Sequence, residues 1–114
     1  MEATASSKYL RMSPQKVRLV VDLIRGRDAG EALNILRFTK KRATREIEKV
    51  LRSAIANAEQ KSENVDVDRL VVAKAYVDDG PRAKRIRPAP MGRAYRYQRR
   101  MSHITVVVEE RPRD

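Results

Sequence analysis

The chain contains no cysteine and a single histidine, His103. Without thiols there is neither a disulfide framework nor a thiolate nucleophile. One imidazole cannot supply the usual zinc ligand set, so no metal and no cofactor is expected. Tryptophan is absent, and four tyrosines and one phenylalanine make up all the aromatics. No apolar run approaches the length of a bilayer span. The N-terminal MEATASSKYLRM has no hydrophobic signal segment, so a cytosolic protein without a membrane partner is expected. There is no phosphate-binding glycine loop. Asp78 and Asp79 are neighbours in a strand-like run, where successive side chains point to opposite faces, and no paired base accompanies His103. A non-enzymatic protein is the expectation.

The other shortage is local. From Gly80 to Val108 there is no acid, against eight of the chain's 26 basic residues. The whole chain carries 15 acids and a net charge of +11, so most of the excess sits in that one segment. Such a field favours polyanions, with nucleic acid the first partner to consider. With 114 residues the chain is expected to form one domain, spanning residues 1–114.

Patterning gives an α+β order. Residues 3–10 read as an edge strand. Ser13 and Pro14 are a helix start, followed by Val17, Val20, Val21 and Ile24 at helical spacing and closed by Gly26. A second helix spans 28–37, with Asp28 and Glu31 in capping-box positions and Ala32, Leu33, Ile35 and Leu36 on its apolar side. A third, over residues 41–60, carries Ile47, Val50, Leu51, Ala54, Ile55 and Ala58 as one stripe, with Arg42, Arg45, Lys49 and Arg52 opposite. Residues 70–77 and 103–109 are β-branched strands. If these two pair antiparallel, their connection is centred near Pro90. About twelve residues on each side then give an arm reaching roughly 40 Å.

The arm is the most informative segment. Its cations are Arg82, Lys84, Arg85, Arg87, Arg93, Arg96, Arg99 and Arg100, seven of them arginine, with Tyr95 and Tyr97 interleaved. Arginine presents a planar fork of donors that suits phosphate and stacks on bases. Interleaved with aromatics, it is the pattern of contacts to folded or single-stranded RNA. The basic side of the third helix has a plainer reading as a solvated face, because Glu46 and Glu48 interrupt it. The first two helices could be a DNA-reading pair over residues 14–37. However, the second helix would then present Asp28 and Glu31 to phosphates. A basic DNA-binding or architectural protein is the alternative function.

Three runs carry a family resemblance: YLRMSPQKVRLVVDLIRG, LRSAIANAE and GRAYRYQRRMSHITVVV. In this order they resemble the ribosomal protein twenty-two family of the bacterial large subunit, over nearly the whole chain. The resemblance implies three helices packed on a small three-stranded antiparallel sheet, with a long protruding β-hairpin at about residues 79–102. It implies a structural constituent of the large subunit, in the cytoplasmic ribosome, that binds 23S-type rRNA, contacts several rRNA domains and supports early assembly. Its hairpin would line the peptide exit tunnel. The implied partners are rRNA, neighbouring large-subunit proteins and, near the hairpin tip, the nascent peptide; no homo-oligomer is expected. It adds Arg11, Lys16, Arg18, Asn57 and His103 to the rRNA-facing candidates. The tunnel-lining tip would comprise Arg87, Pro88, Ala89, Pro90, Met91, Gly92 and Arg93. Many relatives carry basic residues within that tip; Ala89-Pro90-Met91 here does not.

Overall fold

A computed structural model describes residues 2–62, 64–80, 83–88, 94–99 and 101–111, with only the backbone described for 83–88 and 94–99. Five strands and three helices follow the chain as β1 (Glu2–Leu10), α1 (Pro14–Ile24), α2 (Ala29–Phe38), α3 (Thr44–Lys61), β2 (Leu70–Asp79), β3 (Ala83–Pro88), β4 (Ala94–Arg99) and β5 (Ser102–Glu110). A 3-10 turn, Val67–Arg69, leads into β2. The main sheet is antiparallel in the order β1-β5-β2, and β3 and β4 form a separate two-stranded ribbon. β1 is an edge strand, and the α+β architecture is the one its patterning implies.

The helices cover one face of this sheet. Val17, Val20, Val21 and Ile24 of α1 are buried, as their spacing requires. Ile47, Val50, Leu51, Ala54 and Ala58 of α3 form the buried stripe, with Ile55 packed at its margin. They meet Val72, Ala75, Val77, Ile104, Val106 and Val108 of the sheet. In β5 the even positions from Ser102 to Val108 point inward, the period of two expected of a one-sided sheet. In β2 that parity changes: Leu70 and Val72 are buried, then Ala75 and Val77. The register shifts between Val72 and Lys74, so Ala73 is an extra residue that lets both halves of β2 face the core.

Local chemistry departs from expectation at three helix starts. Ser13 sits at the N-cap of α1 without a side-chain bond; its carbonyl accepts from Lys16 and Val17 instead. The capping box at α2 does not form, because arginines compete for both acids. Asp28 pairs with Arg111, and Glu31 with Arg27 at 3.1 Å. α3 begins at Thr44, not near residue 41. Lys41 and Arg42 lie in the preceding turn, closed by Thr44 N–H and Oγ1 donating to the Lys41 carbonyl at 3.2 and 2.7 Å. In α2, Ala29, Ala32 and Leu36 take the buried positions, and Leu33 and Ile35 are only partly covered.

The molecule is far from spherical. Its Cα radius of gyration is 17.6 Å, and its extents are 69 × 26 × 17 Å. A compact chain of this length would have a radius near ~13 Å. The β2–β5 ladder ends with Asp79 opposite Ser102, and the β3–β4 ladder starts with Ala83 opposite Arg99.

Candidate nucleic-acid interface

In the ribbon, Arg85 lies opposite Tyr97 and Arg87 opposite Tyr95, while Lys84 lies opposite Gln98 and Ile86 opposite Arg96. Directly opposed residues of an antiparallel pair share a face. The register therefore places Arg85, Arg87, Arg99, Tyr95 and Tyr97 on one face of the ribbon, and Lys84 and Arg96 on the other. This sorting needs the register, which composition alone does not supply. Arg82, Arg100 and the tip residues Ala89, Pro90, Met91, Gly92 and Arg93 lie outside the described residues.

The root of the arm is tied into the domain. Gly80 N–H donates to the Met101 carbonyl at 2.8 Å. A Cβ at Gly80 would stand 3.1 Å from Met101 Cβ and 3.2 Å from its carbonyl carbon and oxygen, so this approach favours glycine. The buried Ser102 donates its Oγ hydrogen to the Met12 carbonyl at 2.6 Å, joining the start of β5 to the loop before α1. On the other side of the root, Ser7 faces Ile104 and Leu10 faces Ser102, so Lys8 and Tyr9 together oppose His103. Tyr9 takes up the bulge with φ 63°, a left-handed conformation costly for a residue with a Cβ. Its N–H donates to His103 Nδ1 at 3.0 Å and the two rings meet edge to face at 5.0 Å. His103 is thus fixed at the arm root, with Nδ1 already used as an acceptor.

A second basic region adjoins this root. Met12, Lys16, Leu19, Lys41, Arg42 and Ala43 line a groove of about 240 Å³ between the start of α1 and the α2–α3 turn. Lys16 and Arg42, separate candidates in the sequence, are brought together here; Lys41 belongs with them and the sequence reading missed it. Arg11, one residue from Met12, is exposed. The signal was available: residues 3–21 and 32–45 carry nine cations and no acid. The other end of the domain has the opposite character. A cavity of about 500 Å³ there is lined by Asp28, Glu31, Glu59 and Asp68 with Arg52, Leu33, Ile55 and Val67. Among the described residues no group of His, Cys, Asp or Glu could hold a metal ion, and no helix is long and apolar enough to cross a membrane.

Other candidates are engaged by the protein itself. Arg18 Nε and Nη2 donate to the Val77 carbonyl at 3.2 and 2.9 Å, with Asp79 4.0 Å away. Arg25 does the same to Ala75 at 3.0 and 2.7 Å. These carbonyls lie on the outer edge of β2, whose Val72 exchanges hydrogen bonds with Gly26 and Arg27. On the opposite sheet edge, Asn57 Nδ2 donates to the Thr4 carbonyl at 2.9 Å and Lys61 Nζ to that of Glu2 at 2.7 Å. Helix side chains thus occupy both open edges, where free backbone groups would invite pairing with another chain. On α3, Lys49 pairs with Glu46 at 3.7 Å and Arg52 with Glu48 at 2.9 Å, while Arg45 is exposed. In the 14–37 pair, Val17, Val20, Val21 and Ile24 of the first helix and Ala29, Ala32 and Leu36 of the second are buried, and the start of α2 carries Asp28 and Glu31. That is a structural helix hairpin with acids where a DNA reader needs donors.

A family profile described as ribosomal protein L22p/L17e matches residues 5–109. Several proteins named large ribosomal subunit protein uL22 align over almost their full length. That of Solibacter usitatus is 63% identical over 97% of this chain and 98% of its own. The Maridesulfovibrio salexigens protein is 58% identical over 96% and 99%, and the Carboxydothermus hydrogenoformans protein 58% over 97% of each.

Proposed function

The chain belongs to the ribosomal protein L22p/L17e family, and from that premise we propose that it is a non-catalytic, rRNA-binding structural constituent of the large ribosomal subunit. The observation that carries this reading is the arm. An acid-free basic ribbon continues outward from a sheet whose own root is hydrogen-bonded and packed. A fixed root makes the arm a directed element, and with no acid from Gly80 to Val108 to offset its eight cations the segment favours a polyanion.

The mechanism we propose is ordering of the arm against RNA. Arg85, Arg87 and Arg99 fork phosphates on the face where Tyr95 and Tyr97 can stack, while Lys84 and Arg96 neutralise phosphates on the other face. One arm then holds separate rRNA segments at two faces, the contribution expected of a protein that supports subunit assembly. The Lys16–Lys41–Arg42 groove with Arg11 and Arg45 supplies a second phosphate surface on the domain. We assign Arg18 and Asn57 first to the sheet edges. The segment around Pro90, between the two strands of the ribbon in the chain, is the part we propose for the tunnel wall and the nascent peptide.

Co-sedimentation with large subunits, and affinity for large-subunit rRNA fragments across a salt series, test the reading. If all arm cations meet phosphates, log K against log salt should slope at about −6, a loss on the order of a thousandfold between 50 and 200 mM. A flat response, or preference for duplex DNA of equal length, refutes it.

A further inference from the structure

Phe38 is the only phenylalanine of the chain. Its place at the end of an apolar-periodic helix suggests a core residue, yet it is 80% exposed. It ends α2, whose last turn is closed by Thr39, with its N–H at 3.0 Å and its Oγ1 at 2.6 Å from the Ile35 carbonyl. The ring is thus held out on the last turn of a fixed helix, not on a floppy loop. Around it in sequence stand Arg37, Lys40, Lys41 and Arg42, and no acid occurs from residue 32 to residue 45. Lys41 and Arg42 belong to the groove that Lys16 also lines, and Leu19, 65% exposed, forms part of its apolar wall.

An exposed aromatic ring amid cations has a specific chemical complement: a flat π-face joined to phosphates. A protein partner with an apolar knob would satisfy the ring and leave the four cations to be desolvated. Acidic peptides would satisfy the cations and leave the ring in water. An unpaired nucleotide satisfies both, its base stacking on the ring while its own and neighbouring phosphates reach the cations. We propose that Phe38 is a base-stacking post for an unpaired RNA nucleotide, with Lys40, Lys41 and Arg42 and the Lys16 groove holding the flanking phosphates. The site is on the globular domain and separate from the arm. It rests on the rRNA-binding reading and deepens it by assigning what the domain itself recognises: an unpaired base rather than a duplex.

The test compares wild type with Phe38→Ala, Phe38→Leu and Phe38→Trp, using large-subunit rRNA fragments labelled with 2-aminopurine at unpaired positions. Because the ring is exposed, all variants should melt as wild type does. Phe38→Ala and Phe38→Leu should each weaken binding by on the order of tenfold, the loss of one base-aromatic stack. Neither should change the salt slope, since no phosphate contact is removed. Phe38→Trp should retain affinity and quench the probe, whereas Lys41→Gln should lower the slope by ~0.7. The inference is overturned if Phe38→Leu binds as wild type, which would mark an apolar protein contact. It is also overturned if the alanine variant binds RNA normally but is lost from assembled subunits. If wild type itself fails to bind the fragments, the rRNA-binding reading fails, a different result from normal wild-type binding with indifferent variants.

Discussion

Arg18 offers a choice between two roles that can be separated by measurement. Its position in RMSPQKVR suggests an rRNA contact, but its guanidinium forks onto Val77 O, as that of Arg25, seven residues on at the C-cap of α1, forks onto Ala75 O. Replace each by alanine, singly and together. A hydrogen bond from a charged group contributes ~1.5–3 kcal/mol when sheltered. Here both side chains are 47% exposed and water can take over the bared carbonyl, so ~1 kcal/mol per arginine is the expected loss. The unfolding entropy is ~2.1 cal/mol/K per residue, or about 0.24 kcal/mol/K for this chain. Each substitution should then lower Tm by about 4 °C. The carbonyls are distinct, so the double variant should lose about 8 °C. Calorimetry reads the shift, and light scattering reads self-association through the bared β2 edge. If Arg18→Ala leaves Tm within a degree of wild type and instead weakens RNA binding with a reduced salt slope, Arg18 is a phosphate ligand and the edge account is wrong.

Two further outcomes test the domain and the arm. Leu51 is fully buried at the centre of the α3 stripe, so Leu51→Ala should cost about 2–5 kcal/mol in chemical denaturation; a loss below 1 kcal/mol would mean that α3 does not form the core. Deleting residues 84–99 and closing the ends with a short turn should preserve cooperative unfolding, because the helices and the β1-β5-β2 sheet keep their contacts, and should impair rRNA association. Loss of cooperativity in that deletion would make the arm part of the core.

The legible parts of this protein are those written as periodicity. The α1 stripe survives intact as Val17, Val20, Val21 and Ile24, and the α3 stripe from Ile47 to Ala58 with only Ile55 at its margin, because helical spacing alone determines which residues share a face. The two β-branched runs at 70–77 and 103–109 do pair antiparallel, as β2 and β5. Helix starts were less legible. Ser13, Asp28 and Glu31 have the right chemistry for caps, but Arg27 takes Glu31 as an i,i+4 partner and Arg111 reaches Asp28 from the far end of the chain, which local patterning does not consider. The α3 start was misplaced for a similar reason: Lys41 and Arg42 suit a helix, while the Thr44–Lys41 turn stops it short.

The sequence by itself determined the α+β order, the presence of a hairpin arm and its unbalanced charge. Each depends on neighbours in the chain: side-chain spacing, turn position or the sign of nearby charges. Only the tertiary structure decided how individual polar residues are used. It sent Arg18 and Asn57 to opposite edges of the sheet, gathered Lys16 with Lys41 and Arg42, sorted the arm's arginines and tyrosines onto faces, and left Phe38 outside the core. Those outcomes depend on which atoms are close across separations from eight residues, in the ribbon, to 59, between Arg18 and Val77, and a hydrogen bond or groove is fixed by distance in space, which no local pattern encodes.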